Sequence, residues 1–265
     1  MSMVSGRNVS LWPAWAAAAA MLLAAMAGAP VQASALQVSP VRVEFAPSEK
    51  AQAVYLVNNG KEPLDAQIRV QRWTQQQGED VLAASDDLVA SPAIVKVAPG
   101  ERQVVRLVRR EPAAPSQERS YRVLIDELPK KQAPQHSGIT VLMRYSIPIF
   151  IASSSAPKAD DDKPAAQETD LSPIHARLVS QGAGKTELRV TNKGPTHIRI
   201  SHLDMGPAEG KRSIVTAGLL GYVLPGQEMS WPVNVPYPLP AGQTLKARFN
   251  DDREAHPVPL DVAAR

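Results

Sequence analysis

Gly138-Ile139-Thr140-Val141-Leu142-Met143-Arg144-Tyr145-Ser146-Ile147-Pro148-Ile149-Phe150-Ile151 alternates without a break. Odd positions present one apolar face of Ile139, Val141, Met143, Tyr145, Ile147, Ile149 and Ile151, whereas even positions are mixed. A period of two is the mark of a β-strand, because successive side chains point to opposite faces. Pro148 cannot donate a ladder hydrogen bond, so the strand belongs at a sheet edge. A long apolar edge invites unwanted pairing, and proteins usually blunt it. The odd face therefore either packs into the core of its own domain, which periodicity alone favours, or serves another chain by β-strand addition. Burial of three such side chains by a partner would contribute roughly 1.5–3 kcal/mol each.

The same punctuation runs outward from this segment. Leu36–Phe45, Ala53–Val57, Ala66–Trp73, Gln103–Val108 and Tyr121–Leu128 are short runs rich in Val, Ile, Leu and Tyr, separated by Pro, Gly, Asn and Asp. No stretch beyond residue 35 holds a helical apolar period for three turns, and 24 prolines oppose long helices. An echo divides the chain. Val57-Asn58-Asn59-Gly60 precedes Ile68-Arg69-Val70, as Thr191-Asn192-Lys193-Gly194 precedes Ile198-Arg199-Ile200. Ala98-Pro99-Gly100-Glu101 leads into Val104-Val105, as Leu224-Pro225-Gly226-Gln227 leads into Met229-Ser230-Trp231. Between the halves, the small, charged and Pro-containing composition of residues 154–171 reads as a flexible linker, with a long surface loop as the alternative. The expected fold is all-β: two immunoglobulin-like β-sandwich domains, residues 36–153 and 172–265.

Residues 1–35 read as an export signal. Arg7 precedes an apolar run from Leu11 to Met26, and Ala33-Ser34-Ala35 fits the small-x-small cleavage pattern. A membrane anchor is the competing reading, but the run is Ala-rich, broken by Pro13 and short of the roughly 20 apolar residues that span a bilayer. No stable membrane insertion is expected once the signal is removed. A net charge of +3, scattered along the chain, lacks the concentrated basic face that nucleic acid requires. With no cysteine, disulfides are excluded and apolar cores must hold the domains.

Catalytic signatures are missing. The sequence has no nucleophile elbow, no phosphate-cradling Gly-rich loop, no H-E-x-x-H and no cysteine nucleophile, so no enzymatic role and no cofactor is expected. His197 and His202 lie five apart on an expected strand and project to opposite faces, so with Asp204 they would bind metal only through a bulge. Asp160-Asp161-Asp162 lacks the spaced oxygen ligands of a calcium loop.

The segment Ile139–Ile151 resembles the last strand of the N-terminal domain in periplasmic pilus-assembly chaperones of the PapD-like family. Further matches follow in order: Ser39-Pro40-Val41-Arg42-Val43, Val57-Asn58-Asn59, Pro99-Gly100 with Val105-Arg106-Leu107, and Tyr121 through Leu128-Pro129. The second half is similar through Thr191-Asn192, Leu224-Pro225-Gly226 and Phe249-Asn250-Asp251. The resemblance implies a periplasmic chaperone that lends an edge strand to pilin-type subunits and delivers them to an outer-membrane usher, without a cofactor. It assigns Ile139, Val141 and Met143 as donated side chains, Lys130–Ser137 as the loop leading to them, and Arg42 as an anchor for the subunit's C-terminal carboxylate. Pro148 stands where the best-known branch has a second anchor, a lysine. Arg122, expected beside Pro148 in the antiparallel pair, is the first substitute and Arg144 the second. Glu118 and Asp251 match the acidic members of an inter-domain contact, in which Ala152 replaces an arginine. These departures imply a divergent or archaic branch. A self-associating immunoglobulin-like coat component is the alternative from another class, and a carbohydrate-directed domain a third.

Overall fold

Alternating segments become strands wherever a neighbour of matching register lies alongside, and two pairs of facing sheets result. The computed structural model describes residues 36–129, 141–155 and 168–261. The export signal, the loop 130–137, Ile139 and linker residues 156–167 lie outside the described residues. The first sandwich comprises β1 (Leu36–Ser39), β2 (Val43–Phe45), β3 (Ala51–Asn58), β4 (Leu64–Gln76), β5 (Glu79–Ala84), β6 (Leu88–Ser91), β7 (Ile94–Val97), β8 (Arg102–Arg109), β9 (Arg119–Glu127) and β10 (Arg144–Ile151). One sheet has the order β1-β3-β8-β6; the other runs β2-β10-β9-β4-β5, with β7 also paired to β4. The second sandwich comprises β11 (Ile174–Ser180), β12 (Thr186–Asn192), β13 (Ile198–Pro207), β14 (Ser213–Val223), β15 (Glu228–Val233), β16 (Gln243–Phe249) and β17 (His256–Pro257). Its sheets are β11-β12-β15 and β14-β13-β16-β17. No helix occurs among the described residues, and none there is long and apolar enough to cross a membrane.

Each sandwich has its own core. Val54, Leu56, Val105 and Leu107 belong to one cluster with Ile68, Val123, Ile125 and Ile149 of the opposite sheet. In the second sandwich Leu188, Val190 and Met229 cluster with Ile200, Leu203, Leu245 and Phe249. Without disulfides these apolar layers, at roughly 1.5–3 kcal/mol per fully buried large side chain, supply most of the stability.

The sequence echo is a repeated hydrogen-bond device. Buried Asn58 donates from Nδ2 to the carbonyls of Glu62 and Val97, at 2.8 and 2.9 Å, and its Oδ1 accepts from Gly60 N at 2.9 Å. Buried Asn192 does the same toward Thr196 and Val223, at 2.8 and 3.0 Å, and accepts from Gly194 N at 2.8 Å. Each asparagine's main chain is bonded to a Pro-Gly turn, through Gly100 and Glu101 in one case and Gly226 and Gln227 in the other. Gly100 and Gly226 have φ of 73° and 71°, a region that L side chains rarely adopt.

Two strand expectations need correction. Leu36–Phe45 is not one strand: β1 pairs with β3 in one sheet and β2 with β10 in the other, the chain crossing over at Pro40–Arg42. Of the strand expected over Ile139–Ile151, the described residues 141–143 are not in a strand and β10 runs from Arg144. Its neighbour β9 ends at Glu127, whose N donates to Met143 O, so Val141 and Leu142 lie beyond the end of that ladder.

Candidate functional site: an open strand edge beside a basic cleft

Backbone parity decides which edge of β10 is open. Antiparallel pairs alternate between exchanging main-chain hydrogen bonds and not exchanging them. Glu127 N donates to Met143 O at 3.0 Å, so the pairs Tyr145–Ile125, Ile147–Val123 and Ile149–Tyr121 bond, while Arg144, Ser146, Pro148 and Phe150 direct their main-chain groups away from β9. On that far side β2 runs parallel to β10, but only along Ile149–Ile151, and Ala152 N donates to Phe45 O at 3.0 Å. The next donor up this ladder but one would be residue 148. Proline has none, and the ladder stops there. On that far side no described strand lies along Leu142, Arg144, Ser146 or Pro148.

Side chains divide along the same strand. Ile147, Ile149 and Ile151 lie in the first core and Tyr145 packs against it. Val141, Leu142 and Met143 are 66%, 46% and 38% exposed. The alternating face thus has a half packed with the core, at Tyr145, Ile147, Ile149 and Ile151, and an exposed half at Val141 and Met143.

A basic cleft lies at the foot of this strand. Arg42, in the crossover between β1 and β2, donates Nη1 and Nη2 to the carboxylate of Asp251, at 3.2 and 2.5 Å, and its Nε lies 2.8 Å from Glu44. Arg199 of β13 reaches the same carboxylate with Nη2 at 3.1 Å. The hydrogen bond from Arg42 holds the Asp251 carboxyl below the usual carboxylate range, and the same bond raises Arg42. Arg122 is opposite Pro148 in the β9–β10 register, as expected, but its guanidinium lies 3.7 Å from the Trp73 ring centroid and 3.8 Å from Asp80, only 15% exposed. Burial pushes its pKa down. Arg144 is bonded to Asp126, which also pairs with Arg69 at 2.6 Å. Tyr222 lies among Arg199, Arg42 and Arg122, yet burial outweighs them and raises its phenol.

The cleft is framed by a contact between the sandwiches. Trp73 and Phe150 of the first pack with Tyr222 and Leu224 of the second. Buried Gln75 bridges the two, its Nε2 donating to Tyr222 O at 2.9 Å and its Oε1 accepting from Leu224 N at 2.8 Å. His197 stacks on Phe150 at 3.4 Å between centroids, and its Nδ1 lies 3.0 Å from the buried Glu118 carboxylate. At Gly78 a Cβ would come within 2.5 Å of Ser230 Oγ, so the β4–β5 turn approaches β15 as only glycine allows. Glu118 and Asp251 both reach across to the other sandwich, Glu118 to His197 and Asp251 to Arg42. Asp204, the third member of the weighed metal set, is paired with Arg212, and no group of three ligand-type residues converges among the described residues.

Sequence reasoning missed Trp73, Gln75, Phe150, His197, Arg199 and Tyr222. One signal was available: Phe150 is a large aromatic on the even face of a strand whose odd face already supplies the core.

Residues 35–156 match the model of the pili and flagellar-assembly chaperone, PapD N-terminal domain. Over this stretch the chain is similar to the PapD-like chaperones. No curated sequence matches it. Among solved structures it is similar to the CsuC–CsuE chaperone–tip adhesion subunit pre-assembly complex from the archaic chaperone–usher Csu pili of Acinetobacter baumannii, with 24% identity over 85% of this chain and 97% of that chain and a TM-score of 0.60. The CupB2 chaperone of Pseudomonas aeruginosa is 17% identical, over 84% of this chain and all 100% of that one, with a TM-score of 0.55. The Salmonella enterica SafA pilin–SafB chaperone complex gives 15%, 85%, 95% and 0.56 in the same order. At these identities the likeness concerns the fold, two β-sandwiches in a PapD-like chaperone arrangement.

Proposed function

We propose that this chain is a periplasmic chaperone of pilus assembly that caps a subunit by donor-strand complementation. The observation that carries the reading is the open edge of β10, continuous with exposed Val141, Leu142 and Met143. An incoming subunit short of one strand would bond to the main-chain groups of Leu142, Arg144 and Ser146. Its groove would take Val141, Met143 and, upstream, Ile139. The similar solved complexes hold chaperones with a tip adhesion subunit or a pilin, which fits such a partner class. The subunit's C-terminal carboxylate would be received in the cleft at Arg42. Delivery to an outer-membrane usher completes the reading.

Val141→Asp with Met143→Asp tests it. Both side chains are exposed, so melting temperature should stay within about 1 °C, since surface changes usually lie within ±0.5 kcal/mol. Subunit captured from periplasm should fall by at least an order of magnitude, given roughly 1.5–3 kcal/mol per buried side chain. A folded double variant that still captures subunit at the wild-type level would sink the strand-donation reading. Homogeneous self-association of the wild type, reduced by the same changes, would favour the coat-component alternative.

A further inference from the structure

The cleft already holds a carboxylate, and it belongs to the chain itself. Asp251 follows Asn250, whose φ is 47°, in a turn closed by Asp252 N donating to Phe249 O at 2.9 Å. Arg199 fixes this turn. Its main-chain N donates to Asn250 Oδ1 at 2.9 Å, its carbonyl accepts from Asn250 N at 2.8 Å, and its guanidinium bonds to the Asn250 carbonyl. The aspartate is thus presented to Arg42 in fixed geometry, two guanidinium nitrogens meeting two carboxylate oxygens. Such a fork is the arrangement with which arginine receives any carboxylate. Yet Asp251 is 66% exposed on the water side of the pair, where an exposed ion pair adds little stability. A contact with ideal geometry, small net energy and open access is suited to exchange.

We propose that Asp251 is a resident stand-in for the subunit's C-terminal carboxylate, and that Arg199 is the second anchor that Pro148 leaves missing. The inference rests on the reading of Arg42 as the carboxylate anchor. In the free protein Asp251 pairs with both guanidiniums. A subunit arriving with its strand already aligned on β10 displaces the aspartate and takes over the Arg42 and Arg199 donors. Arg199 would offer it the same Nη2 that now meets Asp251 at 3.1 Å. Arg122 and Arg144 are engaged elsewhere, by Trp73 and Asp80 and by Asp126. The stand-in makes capture selective: a stray acidic peptide must compete with a tethered carboxylate, whereas a subunit brings the strand contacts that tip the exchange.

Asp251→Asn removes the charge while keeping the shape and an acceptor in the turn. The probe is an acetylated hexapeptide with either a free or an amidated C-terminus, titrated against the full chain and followed by the arginine Nε–H resonances in NMR. The variant should bind the free-carboxylate peptide about tenfold more tightly than wild type, the scale set by one charge-assisted hydrogen bond, and perturb both Arg42 and Arg199. Binding of the amidated peptide should not change, and thermal melting should confirm the fold. Equal or weaker binding of the free peptide, or the same gain with the amide, overturns the stand-in. Arg42→Ala supplies the separate control. If it leaves the wild-type preference for the free carboxylate intact, the anchor reading itself fails; if it abolishes that preference while Asp251→Asn gains nothing, only the stand-in fails.

Discussion

Asn58 and Asn192 show how much one residue can fix. Each side chain makes three hydrogen bonds inside the fold, joining the end of a strand, the turn after it and a carbonyl of the facing sheet. Leaving buried partners unbonded costs about 1–3 kcal/mol each. Asn58→Ala and Asn192→Ala should each lower stability by about 2–4 kcal/mol on that scale, measured by urea unfolding. A loss below about 0.5 kcal/mol, the ordinary surface range, would show that water replaces these bonds. At the same scale Asp251 carries a sign. Its folded-state carboxyl titrates below the ordinary range because Arg42 donates to it, so the pair's contribution is complete above the unfolded value, about pH 3.9, and disappears as pH falls through the depressed one. The Asp251 side-chain carboxyl carbon signal in NMR should therefore stay constant from pH 7 to about pH 5 and shift only below about pH 4. A transition centred near neutral pH would contradict the assignment.

At the scale of the element, β10 is two strands in one. Its last residues are held on both sides, by β9 and β2, and its first residues on one. Hydrogen exchange should read this with a period of two. In the free protein the amides of Tyr145, Ile147 and Ile149, directed at β9, should be protected, while Arg144 and Ser146 should exchange rapidly. Bound subunit should protect Arg144 and Ser146 as well. Uniform protection along the free strand would mean that the edge is covered, and the donor reading would lose its ground. The alternation of this segment was legible from residue order alone. Where the strand starts was not, because a strand needs a neighbour, and how far β9 runs alongside it is set by the tertiary fold.

For the whole molecule, the decisive feature is the polar-and-aromatic seam between the sandwiches. Gln75 bonds to two main-chain groups that would otherwise be buried unsatisfied, and Trp73 packs edge-on against Tyr222 at 5.6 Å. Trp73→Ala should cost about 3–5 kcal/mol as a large-to-small core change. Gln75→Ala should cost less overall but weaken the joint selectively, since it touches no core. Calorimetry should then resolve two transitions in Gln75→Ala where the wild type shows one. A single cooperative transition at unchanged temperature would show that the seam does not couple the sandwiches.

The sequence by itself determined the class of fold, its doubling and the strand at its centre. These depend on period-two alternation, turn residues and a repeated Asn with Pro-Gly, all of which act over a few residues. The family resemblance also singled out Arg42, Glu118 and Asp251. Their partners were decided only in three dimensions. Asp251 meets Arg42 across 209 positions of chain, and Gln75 meets Tyr222 across 147. Which guanidinium faces a carboxylate and which lies flat on a tryptophan depends on how two sheets from different sandwiches come together, and no local pattern encodes that approach.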